Sequence, residues 1–343
     1  MDQKVVLAVA GSGKTSLIVE RLNLNERILL VTYTTNNLLT LRRRVIEKFT
    51  YLPENIRLYS YFTFLYSFAY KPFLSHVKRS RGINWDIPLP RSARFAQQGH
   101  EGFYMDRTRR LYHNRIAKLL DQAPVVDDVI ARLEKYVDRL YFDEVQDLAG
   151  HDFNFMSSLC RARVGTLWVG DFFQHTFETS RDGSVNSSLH KDYAKYQARL
   201  RAIGLVLDSQ SLERSRRCSP TVCRFISERL GIHIASNRND ETAVKMIDDA
   251  ALAREIFEDR GIVKLFLKEH YKYSCYSENW GVSKGQDHYN DVCVVLSDKN
   301  YEEVLKGGLV DLAPQTRNKL YVACSRARND LFFVRQSHFK KLG

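Results

Sequence analysis

The sequence predicts an α/β fold, and three stretches predict it. Residues 4–10 read as a buried strand, "AVAGSGKTS" (8–16) turns through glycines, and "TSLIVERL" carries apolar residues at helical spacing. Two later apolar runs, "RLYFDEVQD" (139–147) and "TLWVGDFFQHTF" (166–177), read as strands that end in acids. With 343 residues, the chain has room for two domains or for one large α/β domain with insertions.

Composition is ordinary for a globular protein, 44% hydrophobic and 27% charged. No apolar run reaches the ~20 residues of a membrane span, so no membrane partner is expected. The start, "MDQKVVLAVAG", lacks the basic end and apolar length of a signal peptide. Six cysteines are scattered without a CxxC, so neither a disulfide framework nor a zinc site is suggested, and a cytoplasmic location fits. Net charge is +12, which suits a polyanionic partner such as nucleic acid, although solubility alone would also account for it. The basic excess concentrates between Lys71 and Lys118, in Lys78, Arg79, Arg81, Arg91, Arg94, Arg107, Arg109, Arg110 and Arg115. Phe73, Trp85, Phe95, Phe103, Tyr104 and Tyr112 are interleaved. Cations for phosphates beside aromatic faces for bases make a single-strand surface; the same aromatics would also serve as the core of a small helical insertion.

"AVAGSGKTS" approximates a P-loop, with Ala8 in place of its first glycine. Gly11, Ser12 and Gly13 at a strand-to-helix turn can cradle phosphates with backbone N–H groups, and Ser16 closes the loop. Lys14 would reach the β- and γ-phosphates, and Thr15 would hold Mg²⁺. The metal also needs a carboxylate, and Asp143 at a strand's end supplies it. Glu144 is placed to polarise the attacking water as a general base. Gln146 adds an amide able to bond water or phosphate. The next strand ends in Asp171 and Gln174, and successive strands ending DExQ and GDxxQ are far more specific than either alone.

With these motifs in order, the chain resembles a superfamily 1 helicase of the UvrD/Rep type. The resemblance implies two RecA-like P-loop domains with parallel sheets flanked by helices, ATP between them, and a small, mainly helical insertion in the first. It also makes Gln174 a catalytic residue. "VTYTTNNLLTLRRRVIEKF" (31–49) resembles a segment that grips the strand backbone, implying contacts from Thr34 and Thr35. "YSYFTFLYSF" (59–68) resembles the next, with Ser60 and Phe62 or Phe64 facing the strand and the usual histidine absent. "LERSRRCSPTVCRFI" (212–226) puts Arg217 on a γ-phosphate arginine, and Arg216 where a tyrosine usually stacks on adenine. "WGVSKGQDHYNDVCVVL" (280–296) aligns Ser283 and Lys284 with a DNA-following segment, and Asp287 with a ribose-following glutamate. "NKLYVACSRARNDLFFV" (318–334) makes Arg326 an arginine finger. Phe177 stands at an aromatic position that stacks on the strand.

The expected domains are 1–70 with 136–212, the basic insertion 71–135, and a second core over 213–343. The shortened insertions imply a minimal motor, and the resemblance implies that it uses ATP and Mg²⁺ on single-stranded DNA or a DNA junction, moving 3′ to 5′. Three alternatives stand beside it. One is a helicase-like ATPase subunit serving a separate nuclease or other effector in bacterial phage defence. The others are an RNA-directed superfamily 1 helicase and a non-catalytic, nucleotide-gated DNA-binding module.

Overall fold

The computed structural model describes residues 2–87, 89–176, 183–340 and 342. They form two compact units. The first comprises Met1–Val6, Thr15–Gly170 and Glu178–Asp208; the second comprises Leu7–Lys14, Asp171–Phe177 and Ser209–Gly343.

Short apolar runs make the strands of the first unit. They begin with β1 (Gln3–Leu7), β2 (Ile28–Thr32) and β3 (Ile56–Ser60). The sequence ILLVT of β2 is buried throughout, as a strand covered on both faces must be. A mainly helical insertion follows, holding a short parallel pair, β4 (Gly82–Asn84) and β5 (Arg110–Tyr112). Next come β6 (Arg139–Asp143), β7 (Gly165–Gly170) and β8 (Val206–Asp208), giving a six-stranded sheet in the order β3-β2-β6-β7-β1-β8. The β2–β3, β2–β6, β6–β7 and β1–β8 pairs are parallel. Parallel pairing brings the carboxyl ends of neighbouring strands to one edge, where open α/β sheets bind ligands. In this register Thr32 lies beside Asp143, and Asp143 beside Val169.

The insertion resolves the two readings of its composition residue by residue. Phe103, Tyr104 and Tyr112 are buried, and so is Arg115. The Arg115 guanidinium donates to the Ala93 and Phe103 carbonyls at 2.9 and 2.7 Å and lies 3.7 Å from the Phe103 ring centroid. Lys118 is buried over the same ring. These two cations therefore stabilise the insertion's core and are withdrawn from its surface. Arg79, Arg81, Arg91, Arg94, Arg107 and Arg110 remain exposed, as do Trp85 and Phe95.

The second unit pairs β9 (Arg214–Ser215) with β10 (Ala235–Ser236), again parallel. Its main sheet contains β11 (Val244–Ile247), β12 (Ile262–Phe266), β13 (Ser277–Asn279), β14 (Asp291–Leu296) and β15 (Leu331–Arg335). The order is β11-β15-β14-β12-β13, with every neighbouring pair parallel. The helix Pro220–Leu230 is well signalled: the Ser219 side chain caps it, proline opens it, and Gly231 ends it at φ 62°. Its Val222 and Ile226 join Leu320 and Tyr321 of the helix Pro314–Cys324, and Val292, Val294 and Phe333 of the sheet, in one core. Both units are α/β with parallel sheets flanked by helices, consistent with two RecA-like folds. Among the described residues, no helix is long and apolar enough to cross a membrane.

Candidate nucleotide and nucleic-acid sites

In the first unit, β6 delivers Asp143 and then breaks sharply. Glu144 adopts the left-handed conformation, φ 62°, a strained backbone for a non-glycine residue. Its backbone N–H donates to Asp143 Oδ1 at 3.0 Å. Gln146 Nε2 donates to Glu144 Oε2, and Asn37 Nδ2 donates to Oε1 at 3.4 Å. Gln146 is fully buried beneath Gly170, where an added Cβ would overlap its Oε1 and lie 2.6 Å from Val145 Cγ1. Glycine at the end of β7 is therefore what lets the amide reach Glu144.

A magnesium ion fits the chemistry of these residues. Thr15 and Asp143 offer hard oxygen donors, and Mg²⁺ is commonly held by one or two carboxylates plus substrate phosphates. Thr32, beside Asp143 in register, has a buried Oγ1 with no hydrogen-bond partner among the described residues. Among those residues, no group of three or more His, Cys, Asp or Glu could hold a metal by itself.

Four of the eight predicted strand-contact residues fall on a single groove of about 450 Å³. Thr34, Thr35, Ser60 and Phe62 line it, with Tyr33 and the insertion's Trp85. Thr34 caps the helix Thr35–Phe49, its side chain accepting from Asn37 N at 3.2 Å, and Ser60 caps the next turn by accepting from Thr63 N at 3.2 Å. Phe62 packs edge-on against Trp85 with centroids 4.9 Å apart, and His113 stacks on Trp85 at 5.5 Å. Phe64 does not reach the groove. It is fully buried and stacked on Phe68, so the expectation that it faces a strand is corrected, and of Phe62 and Phe64 only Phe62 lines the groove.

In the second unit, Gly11 (φ 69°) and Gly13 (φ 99°) give the loop its turns. A Cβ on Gly11 would lie 2.6 Å from Arg217 Cβ and 2.8 Å from Ser215 Oγ, so glycine is also required for close approach. Arg216 N donates to Gly11 O at 2.9 Å, and its exposed guanidinium lies over Gly13. The buried Ser12 hydroxyl donates inward to Val9 O at 2.8 Å. Lys14 is half-buried where the helix Lys14–Glu20 begins, and Ser16 accepts from Arg44 Nη1 at 3.0 Å within the first unit.

Asp171 organises the neighbouring segment. Its Oδ2 accepts from Gln174 Nε2 at 2.9 Å and from the Tyr321 hydroxyl at 3.0 Å. That hydroxyl in turn accepts from the Ala10 backbone N–H at 2.8 Å. Burial, followed by the Asp171 charge, pushes the Tyr321 pKa well above its ordinary value, which keeps the hydroxyl protonated.

Arg217 and Arg326 converge on one carboxylate. Arg217 Nη2 and Arg326 Nη1 both donate to Asp287 Oδ1, the latter at 3.4 Å. Arg326 also donates to the carbonyls of Val322 and Gln286, at 3.3 and 3.2 Å, and Arg217 Nη1 to that of Ser325 at 3.2 Å. Arg326 is only 2% exposed, and burial, then the adjacent Arg217 charge, pulls its pKa down to about 10. Asp287 itself stays exposed.

Ser283 requires another correction. It is fully buried, and its hydroxyl donates to Trp280 O at 2.7 Å, so a strand cannot reach it; Lys284 beside it is half-buried. Phe177 lies outside the described residues. Two polar side chains in these networks, Asn37 and Tyr321, were missed from the sequence. The one available signal was that each falls within a stretch already singled out.

No family model and no curated protein matches the chain. Among solved structures, it is similar to a PRRSV helicase, with 14% identity and a TM-score of 0.49, over 97% of this chain and 52% of that one. It is also similar to Arterivirus nonstructural protein 10 (helicase) in complex with DNA, with 15% identity and a TM-score of 0.48, over 96% of this chain and 60% of that one. The chain thus spans little more than half the length of each.

Proposed function

We propose that the chain is an ATP-dependent translocase or helicase on single-stranded DNA, moving 3′ to 5′. The observation that carries this reading is the pairing of Arg217 and Arg326. Two guanidinium groups held together on a single exposed carboxylate, one of them buried, are short of negative charge. A buried cation without full compensation is costly, and such groups cluster where an anion is to be bound. A γ-phosphate supplies that anion, and charge developing on it during transfer is what arginine fingers stabilise.

The other roles follow from the chemistry of each group. Lys14 and the glycine turns hold the phosphates, and Arg216 stacks on the base. Thr15 and Asp143 would hold Mg²⁺, which would neutralise charge on the β- and γ-phosphates when bound. Glu144 takes a proton from the attacking water, Gln146 orients it, and Gln174 responds to the γ-phosphate. Thr34, Thr35 and Ser60 contact the strand's phosphates, while Phe62 and Trp85 stack on a base. The exposed arginines of the insertion favour a polyanion over a neutral ligand.

The reading is tested by steady-state ATP hydrolysis with and without single-stranded DNA or RNA, using Lys14→Ala as control. Stimulation by DNA supports the motor. Preferential stimulation by RNA moves the substrate to RNA, and turnover indifferent to either contradicts the reading.

A further inference from the structure

One helix of the first unit, Thr35–Phe49, meets the groove and also two residues of the nucleotide motifs. Its cap Thr34 and its first residue Thr35 line the groove. Asn37, in its first turn, donates to Glu144 Oε1 at 3.4 Å, and Arg44, two turns on, donates to Ser16 Oγ at 3.0 Å. Glu144 Oε2 accepts from Gln146 at the same time. Both carboxylate oxygens are thus engaged by amides, whereas a general base must turn an oxygen toward its water. The Thr34 side chain also caps the Asn37 backbone N–H at 3.2 Å. A strand pressing on Thr34 and Thr35 therefore bears directly on the turn that carries Asn37.

We propose that Asn37 is a positioning residue that restrains Glu144 until nucleic acid engages the groove. The inference rests on the reading above, in which Glu144 is the base and the groove takes a single strand. In the absence of a strand, the Asn37 amide holds Glu144 Oε1 and turnover is slow. When Thr34 and Thr35 take a phosphate, the first turn shifts, the amide withdraws, and the oxygen turns to the water. Nucleic acid then stimulates hydrolysis by releasing a base already in place.

The test measures ATP hydrolysis by the full chain with and without oligothymidylate, in the wild type, Asn37→Ala and Asn37→Asp. The aspartate keeps the side chain's volume and loses the N–H donor. Both variants are expected to raise the unstimulated rate on the order of tenfold, the scale of one hydrogen bond to a charged group. The KM for ATP stays constant, and the stimulation ratio falls by the same factor. Variants that keep the wild-type unstimulated rate and ratio overturn the inference, as do variants that slow both rates equally. Glu144→Gln separates the two levels. If it leaves wild-type turnover intact, the base assignment fails and this inference with it; if it abolishes turnover, the Asn37 result decides the inference alone.

Discussion

Tyr321 donates its hydroxyl to Asp171 Oδ2 at 3.0 Å, and both side chains are fully buried. Because the Tyr321 hydroxyl oxygen also accepts from Ala10 N at 2.8 Å, the glycine-turned loop, the GDxxQ segment and the helix leading to Arg326 meet at that hydroxyl. Tyr321→Phe leaves a buried N–H unpaired and removes one donor from Asp171. The expected cost is about 1–3 kcal/mol of stability, with turnover falling more than ATP binding. Chemical denaturation checks the first part, and an unchanged midpoint would show that the network contributes nothing.

Gly170→Ala drives a methyl into Gln146 Oε1 and Val145 Cγ1. Overpacking of this kind costs about 1–3 kcal/mol. The displaced amide should also leave Glu144, so turnover should drop while affinity for ATP holds. Wild-type kinetics in this variant would remove Gln146 from the mechanism.

Phe62→Ala and Trp85→Ala should each weaken binding of oligothymidylate by about 1–3 kcal/mol, the scale of a base stacked on an aromatic ring. Phe64→Ala should instead destabilise the fold by about 3–5 kcal/mol, because its ring is core. Fluorescence anisotropy across a salt series measures the affinities. Affinity should fall steeply with salt if the exposed arginines touch phosphates, and a flat salt profile would contradict their role.

Arg27 hydrogen-bonds to Asp138 and holds its pKa down at about 2, below the ordinary 3.8. A carboxylate depressed on folding contributes stability that is complete above its unfolded pKa and is lost as pH falls toward the folded one. The pair is largely exposed, so its contribution is below about 1 kcal/mol. Asp138→Asn should cost that little at neutral pH and should flatten the loss of stability between pH 3.8 and about 2. Denaturation midpoints at several acidic pH values decide it.

What was legible in the sequence was local. An apolar run followed by polar residues announces a strand and what stands at its end, so Asp143, Glu144, Asp171 and Gln174 were placed from short windows. What was not legible depends on facing directions and distant partners. Phe62 and Phe64 are two residues apart, and nothing short of the packed helix tells which one enters the core. Arg115 and Lys118 look like the surface arginines around them until the buried Phe103 ring gives them a partner. Ser283 sits in a segment that resembles a strand-contacting one, yet the turn after Trp280 folds its hydroxyl inward. Asn37 and Glu144 are 107 residues apart, a separation at which a hydrogen bond leaves no mark in any local pattern.

In the proposed mechanism the Arg217–Arg326 pair awaits a phosphate whose charge grows during hydrolysis. The most direct measurement is turnover by Arg326→Ala with single-stranded DNA present, paired with the affinity of the same variant for a non-hydrolysable ATP analogue. Near wild-type affinity is expected, with turnover lowered by roughly a thousandfold, the arginine-finger scale. Turnover retained in the folded variant would contradict it.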